Sequence, residues 1–251
     1  MDQIGLRFPG AAVSRKRKQE KIDSILEWLA TFHFSSRAIL LKVMGLEREK
    51  DGYFKSLRES FYIKEMMYPT YHKPIIMLGD YGYVLARERH VAMLHYKRRA
   101  NSINMSNIRH DLAVQSAILR SGISLEQVTP ERLIERNRLK TPDAIYDVDG
   151  ISHALEVELH AKSERDIFIA FLDHGRAWQA KEYQRVRYLF REQWQRDYYE
   201  RLFRRPEWPR YEYVKEKRMH IVDRDRPTVK PSEYKGLLDV FSFELDSLAI
   251  D

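Results

Sequence analysis

The chain has 251 residues, 43% hydrophobic and 32% charged, which suits one large domain or two small ones with a highly charged exterior. It contains no cysteine, which excludes disulfides, thiolate metal sites and a cysteine nucleophile. A formal net charge of +7 favours a polyanionic partner, usually nucleic acid, and no apolar run is long enough for a signal peptide or a bilayer span, so a soluble cytoplasmic protein with no membrane partner is expected.

The basic cluster Arg15, Lys16, Arg17 and Lys18 stands just before a helical pattern carried by Ile22, Ile25, Leu26 and Leu29. Ser35-Ser36 offers a helix N-cap, and a short helix through Ile39, Leu40 and Val43 stops at Gly45, which suits a left-handed C-cap. A third helix is expected from about Arg48 to Ser60, burying Tyr53, Phe54 and Leu57. Two β-prone runs, 62–68 and 74–78, flank a turn at 69–73, and a short helix follows over about 81–86. Three helices and then a hairpin is the order of a winged helix-turn-helix; a helical-hairpin interaction module shares the pattern. Residues 1–90 are therefore expected to form a winged helix-turn-helix DNA-binding domain with a basic N-terminal arm. Its DNA contacts would come from Arg15–Lys18 in the arm, from Arg48, Lys50, Lys55 and Arg58 on the third helix, and from Lys73 at the wing tip.

Residues 91–251 read differently. One helix is expected over 102–121, followed by a helix start or loop at 128–132. The stretch 141–162 concentrates acids and carries a hairpin signal. A helix over about 167–182 comes next, with Asp173-His174-Gly175 as a break point, then a buried strand at 186–190 and a charged helix over 193–203. One or two strands lie within 211–222, and the tail is irregular until 237–245. The fold class is thus α+β, with the winged helix followed by an α/β domain on a mixed central sheet.

Asp149-Gly150 in the acidic stretch suits a type I′ turn, which needs positive φ at both central residues. If these two residues form the turn, Val148 pairs with Ile151 and Asp143 comes to lie opposite Glu156. Directly opposed residues share a face with Cβ atoms about 4.5–5.5 Å apart, and Glu158, two residues on, shares it too. The other face would carry Ala144, Tyr146, Leu155, Val157 and Leu159 toward the core. Three convergent carboxylates repel one another, and a hard divalent cation such as Mg²⁺ or Mn²⁺ relieves this. A solvated edge hairpin, its acids paired with arginines, is the plainer alternative.

Pro142-Asp143, twelve residues, then Glu156-Val157-Glu158 resembles the PD-(D/E)xK nuclease superfamily of restriction-endonuclease folds. With the preceding winged helix and Arg109-His110-Asp111-Leu112 on a helix, the order of motifs over about residues 15–190 looks like the replication-relaxation family and the MobC-type relaxases of mobilisable plasmids. The resemblance implies a restriction-endonuclease-like domain over 91–251 with Asp143, Glu156 and Glu158 as metal ligands and catalytic residues. It implies a metal-dependent endonuclease that nicks one DNA strand at a plasmid transfer origin, with an accessory mobilisation or coupling protein as a further partner. His110 fits the family's helix pattern as a catalytic helper or DNA ligand. Glu158 departs from the pattern where a lysine is expected; Lys181, or secondly Lys162, would take that role. The histidine-cluster relaxases are excluded, since no His-x-His occurs. Two alternatives stay open: a non-catalytic DNA-binding replication or transcription factor with a degenerate nuclease fold, and a restriction- or transposition-type endonuclease.

Overall fold

The computed structural model describes residues 9–48, 52–69, 71–90, 92–93, 96, 103–135, 138–214 and 219–248. The chain forms two compact units, one running to Gln115 and the other starting at Ser116, a division further along than the one expected at residue 90. No helix among the described residues is long and apolar enough to cross a membrane.

The first unit opens with α1 (Pro9–Phe32), then β1 (Ser35–Ser36), α2 (Arg37–Val43), α3 (Tyr53–Glu59), β2 (Ile63–Tyr68), β3 (Tyr71–Leu78) and α4 (Asp80–Arg89). Its three strands lie in the order β1-β3-β2, all antiparallel. α1 buries Ile25, Leu26 and Leu29, the positions the helical spacing picks out. The Ser36 hydroxyl accepts a hydrogen bond from the Ile39 amide at 3.2 Å, so the expected cap starts α2. Gly45 at φ +67° ends it, with Gly45 N–H donating to Lys42 and Leu46 N–H to Leu41, the paired bonds of a Schellman motif.

Helix boundaries differ from expectation in three places that matter. α1 already includes the basic cluster, because Gly10-Ala11-Ala12 and four long basic residues contain nothing that stops a helix. α3 is shorter than expected and starts at Tyr53, after Gly52 at φ +76°. α5 (Ile108–Ser121) also starts later than residue 102, beyond a turn in which Asn104 accepts from Ser106. Gln115 on α5 is fully buried and satisfied: its Oε1 accepts from Trp28 Nε1 at 3.0 Å and Ser35 Oγ at 2.7 Å, and its Nε2 donates to the Phe34 carbonyl at 2.9 Å. These bonds tie that turn of α5 into the first unit.

The second unit contains β4 (Val128–Pro130), β5 (Ala144–Val148), β6 (Ile151–Glu158), α6 (Glu164–Gln179), β7 (Arg185–Phe190) and α7 (Gln193–Phe203). After these come β8 (Trp208–Pro209), β9 (Tyr211–Val214), β10 (Met219–Val222), β11 (Thr228–Val229) and β12 (Phe241–Leu245). Five strands form one mixed sheet, β12-β7-β6-β5-β4, in which β6, β7 and β12 run parallel and β4, β5 and β6 antiparallel. The expected α+β class with a mixed sheet is therefore present. α6 is unbroken through Asp173-His174-Gly175: His174 and Gly175 both lie on its buried face, whose packing holds the helix despite the glycine. One sheet face carries an aromatic core centred on Phe171, whose ring lies 6.0 Å from Tyr188, 5.3 Å from Phe203 and 5.4 Å from Trp208.

Candidate functional site: a buried carboxylate–lysine cluster

The β5–β6 hairpin has the register the Asp-Gly turn requires. Asp149 and Gly150 sit at φ +51° and +76°, and Val148 pairs with Ile151 and Ala144 with Leu155. Asp143 stands one residue before the ladder, where its amide donates to the Leu155 carbonyl at 3.0 Å and its Oδ2 accepts from the Val157 amide at 2.7 Å. The side chain thus pins the end of β6 as a surrogate strand partner.

Glu156 and Glu158 share a face, as expected, but it is the aromatic core face. Glu156 pairs in register with Tyr188 and Glu158 with Phe190, and both acids are 3% exposed. The opposite face buries Leu155 and Val157 as well. Alternation along β6 therefore does not separate a wet face from a dry one, because a sheet with parallel strands and helical crossovers is covered on both sides.

Nor are the acids bare. Lys140 Nζ lies 3.0 Å from Glu156 Oε1, and Lys162 Nζ lies 2.6 Å from Glu158 Oε1. His174, fully buried on α6, places Nε2 3.0 Å from the same Glu156 oxygen and Nδ1 2.6 Å from the Tyr183 hydroxyl. Burial pushes the Glu156 carboxyl up, but the Lys140 ammonium and His174 outweigh it and hold the carboxyl below its ordinary range. Burial holds the His174 imidazole below its ordinary value and so neutral. An ionised Glu156 only accepts, so His174 donates from Nε2, and its Nδ1 accepts the Tyr183 O–H. The result is a buried chain of Lys140, Glu156, His174 and Tyr183 in which each contact has a donor and an acceptor.

Glu158 is different. Burial dominates there, with Glu156 and Asp143 adding like charge, and its carboxyl is pushed up to about 7 despite Lys162. Beside these acids the Tyr188 and Tyr199 hydroxyls are buried without an aligned hydrogen-bond partner among the described protein atoms. Among the described residues, no three His, Asp or Glu side chains are set at coordinating distances around one point.

The other residues picked from the sequence lie elsewhere. Lys181 is exposed at φ +60°, just past α6 and one turn of chain before β7, whose start pairs with His153 at the far end of β6 from Glu158. The ammonium groups at the acids come from Lys140 and Lys162 instead. His110 Nδ1 lies 3.7 Å from Asp111 Oδ1 on α5 in the first unit. Arg15, Lys16, Arg17 and Lys18 are exposed on α1, and Lys73 is exposed on β3. Arg48 is exposed in a bend before α3, not on that helix, and Lys50 lies outside the described residues. Lys55 is exposed, 3.8 Å from Glu59, whereas Arg58 is committed to Glu65 at 2.9 Å.

His174, Tyr183 and Lys140 are absent from the sequence-derived site. The one signal for His174 is its phase on α6, three residues after buried Phe171. Comparison with family models, with curated proteins and with solved structures returned no match.

Proposed function

We propose that this chain is a divalent-metal-dependent DNA phosphodiesterase that nicks one strand, the first unit binding duplex DNA and the second carrying the chemistry. The observation that carries the proposal is the placement of three carboxylates by one hairpin: Asp143 at the start of β5, and Glu156 and Glu158 at alternate positions of β6. The order β4-β5-β6-α6-β7, an antiparallel hairpin followed by a helical crossover to a parallel strand, supports the restriction-endonuclease-like reading. In the first unit, three helices before a β2–β3 hairpin, with β1 added to β3, support the winged-helix reading.

The donors are all hard oxygen, the chemistry Mg²⁺ or Mn²⁺ takes. The ion would have to draw the three carboxylates together and displace Lys140 and Lys162, which now neutralise Glu156 and Glu158. Asp143, Glu156 and Glu158 would hold the ion, which when bound polarises a phosphodiester and lowers the pKa of water. The chain's own residues do the rest. Lys162, on a mobile four-carbon stem with its side chain 45% exposed, can turn from Glu158 to a phosphate oxygen and stabilise developing charge there. His174 and Tyr183 fix the Glu156 carboxylate from behind, which spares it reorganisation during reaction. Exposed Arg15–Lys18, Lys55 and Lys73 supply phosphate contacts in the first unit. The family resemblance narrows the substrate to a plasmid transfer origin.

The test is nicking of a supercoiled plasmid that carries the native flanking DNA, with Mg²⁺ or Mn²⁺. Wild type should yield open circles, and Asp143→Ala should lose them by a factor of 100 or more while still binding the DNA, on the order of a missing electrostatic contact at the reacting centre. Folded wild type that binds but never nicks refutes the proposal. That result would favour the second reading, a DNA-binding factor without catalysis, whose specific support is that Glu156 is already filled by Lys140 and His174.

A further inference from the structure

α7 presents an exposed tryptophan and a cation outside its buried stripe. Its inward positions Gln195, Tyr199, Leu202 and Phe203 are buried and complete the packing on the sheet. Trp194, Asp197, Tyr198 and Arg201 line a shallow cleft. Trp194 is 59% exposed, a large apolar surface left in water by a helix whose buried stripe is already full. The Arg201 guanidinium lies over the Tyr198 ring, 5.4 Å from its centroid.

The charges on this helix are unevenly compensated. Arg196 pairs with Asp197 at 2.7 Å, Arg191 with Glu192 at 3.6 Å, and Arg204 with Glu200. Among the described residues no carboxylate pairs with Arg201. The cleft therefore combines one exposed ring, that of Trp194, with a cation, Arg201, that no described carboxylate pairs. An unpaired nucleotide offers the complement to both, a base to stack and a phosphate to neutralise.

The position agrees. β7 ends at Phe190, the register partner of Glu158, and α7 begins three residues later. Tyr199 lies against Glu158, while the Tyr198 ring, 6.4 Å from that of Tyr199, is partly buried against the core. Trp194, in the first turn of α7, thus stands at the carboxyl edge of the parallel strands, where ligands of open α/β sheets bind.

We infer that Trp194 and Arg201, the latter held over the Tyr198 ring, form a stacking and phosphate-binding platform for single-stranded DNA beside the carboxylate site. The platform extends the phosphodiesterase reading by naming the form of the substrate: a strand unpaired beside the nick. Duplex affinity belongs to the first unit and does not depend on it.

The test uses the full chain and an oligothymidylate of about ten nucleotides, followed by tryptophan fluorescence and by anisotropy of a labelled strand. Wild type should bind with quenching that disappears in Trp194→Ala. Trp194→Ala should weaken single-strand binding about 5- to 150-fold, Trp194→Phe should restore most of it, and Arg201→Ala should reduce the salt slope by about one. Both side chains are exposed, so the variants keep the wild-type circular dichroism and melting temperature. Binding by Trp194→Ala equal to wild type, or no oligonucleotide binding by wild type, overturns the inference. The two proposals fail separately. Trp194-dependent binding without metal-dependent nicking sinks the nuclease and keeps the platform; nicking with Trp194-independent binding does the reverse.

Discussion

Lys140→Met is the sharpest probe of the buried cluster. The substitution keeps the aliphatic stem but leaves the Glu156 carboxylate, 3% exposed, without its ammonium. Removing one partner of a buried ion pair costs about 3–5 kcal/mol. The Lys140 side chain is 22% exposed, so water reaches the site and the lower end applies, about 3 kcal/mol. At roughly 2–4 °C per kcal/mol for chains of this size, the second unit should melt on the order of 10 °C lower. Glu156→Gln in the same background removes the stranded charge, and its amide oxygen still accepts from His174. The double variant should therefore recover most of the loss, giving a coupling energy of about 1.5 kcal/mol or more in the cycle. Calorimetry of the full chain, with Trp178 and Trp208 fluorescence reporting the second unit, measures this. A single variant melting within about 2 °C of wild type would refute the reasoning, as would a double variant no better than the single.

Two further outcomes follow from the geometry. Glu158 has its folded pKa raised to about 7, so the native chain binds more protons than the unfolded chain between about pH 4.5 and 7, and stability falls as pH rises through that window. Wild type should lose about 3 kcal/mol relative to Glu158→Gln between those limits in EDTA, and Mg²⁺ should flatten the difference; parallel urea-melt curves at pH 5 and 8 would contradict the burial argument. Gly82→Ala on α4 would put a Cβ 2.0 Å from the Tyr62 carbonyl oxygen, a backbone clash, so the first unit should lose about 2–4 kcal/mol, and a variant with unchanged melting temperature would show that the α4–β2 approach is looser than described.

Local signals were legible and long-range ones were not. The Asp149-Gly150 turn gave the register of β5 on β6 by counting alone, and Ser36 and Gly45 marked the ends of α2. The bounds of α7 were readable because Phe190 and Pro206 bracket a stretch of helix formers. The sequence did not reveal which lysines meet the acids. Lys140 reaches Glu156 because the loop from Arg138 folds back on Glu182, whose side chain accepts from the Leu139 amide, and no local spacing encodes that closure. Lys181 reaches the acids only if the helix after the hairpin points its end at them, whereas that end lies by the start of β7. His174 reads as part of a helix interruption because its glycine neighbour suggests one; packing of the buried face of α6 keeps the helix continuous there instead. β4 was missed because three residues ending in Pro130 carry too little alternation to register.

The two-residue tip at Asp149-Gly150 works as a parity switch for everything downstream on β6. Inserting a single residue there, with the strands still paired, would turn Leu155 and Val157 into the aromatic layer and carry Glu156 and Glu158 to the opposite side. What natural selection has to preserve at this tip is therefore a count and a pair of backbone angles, and its exposed side chains are otherwise free to drift.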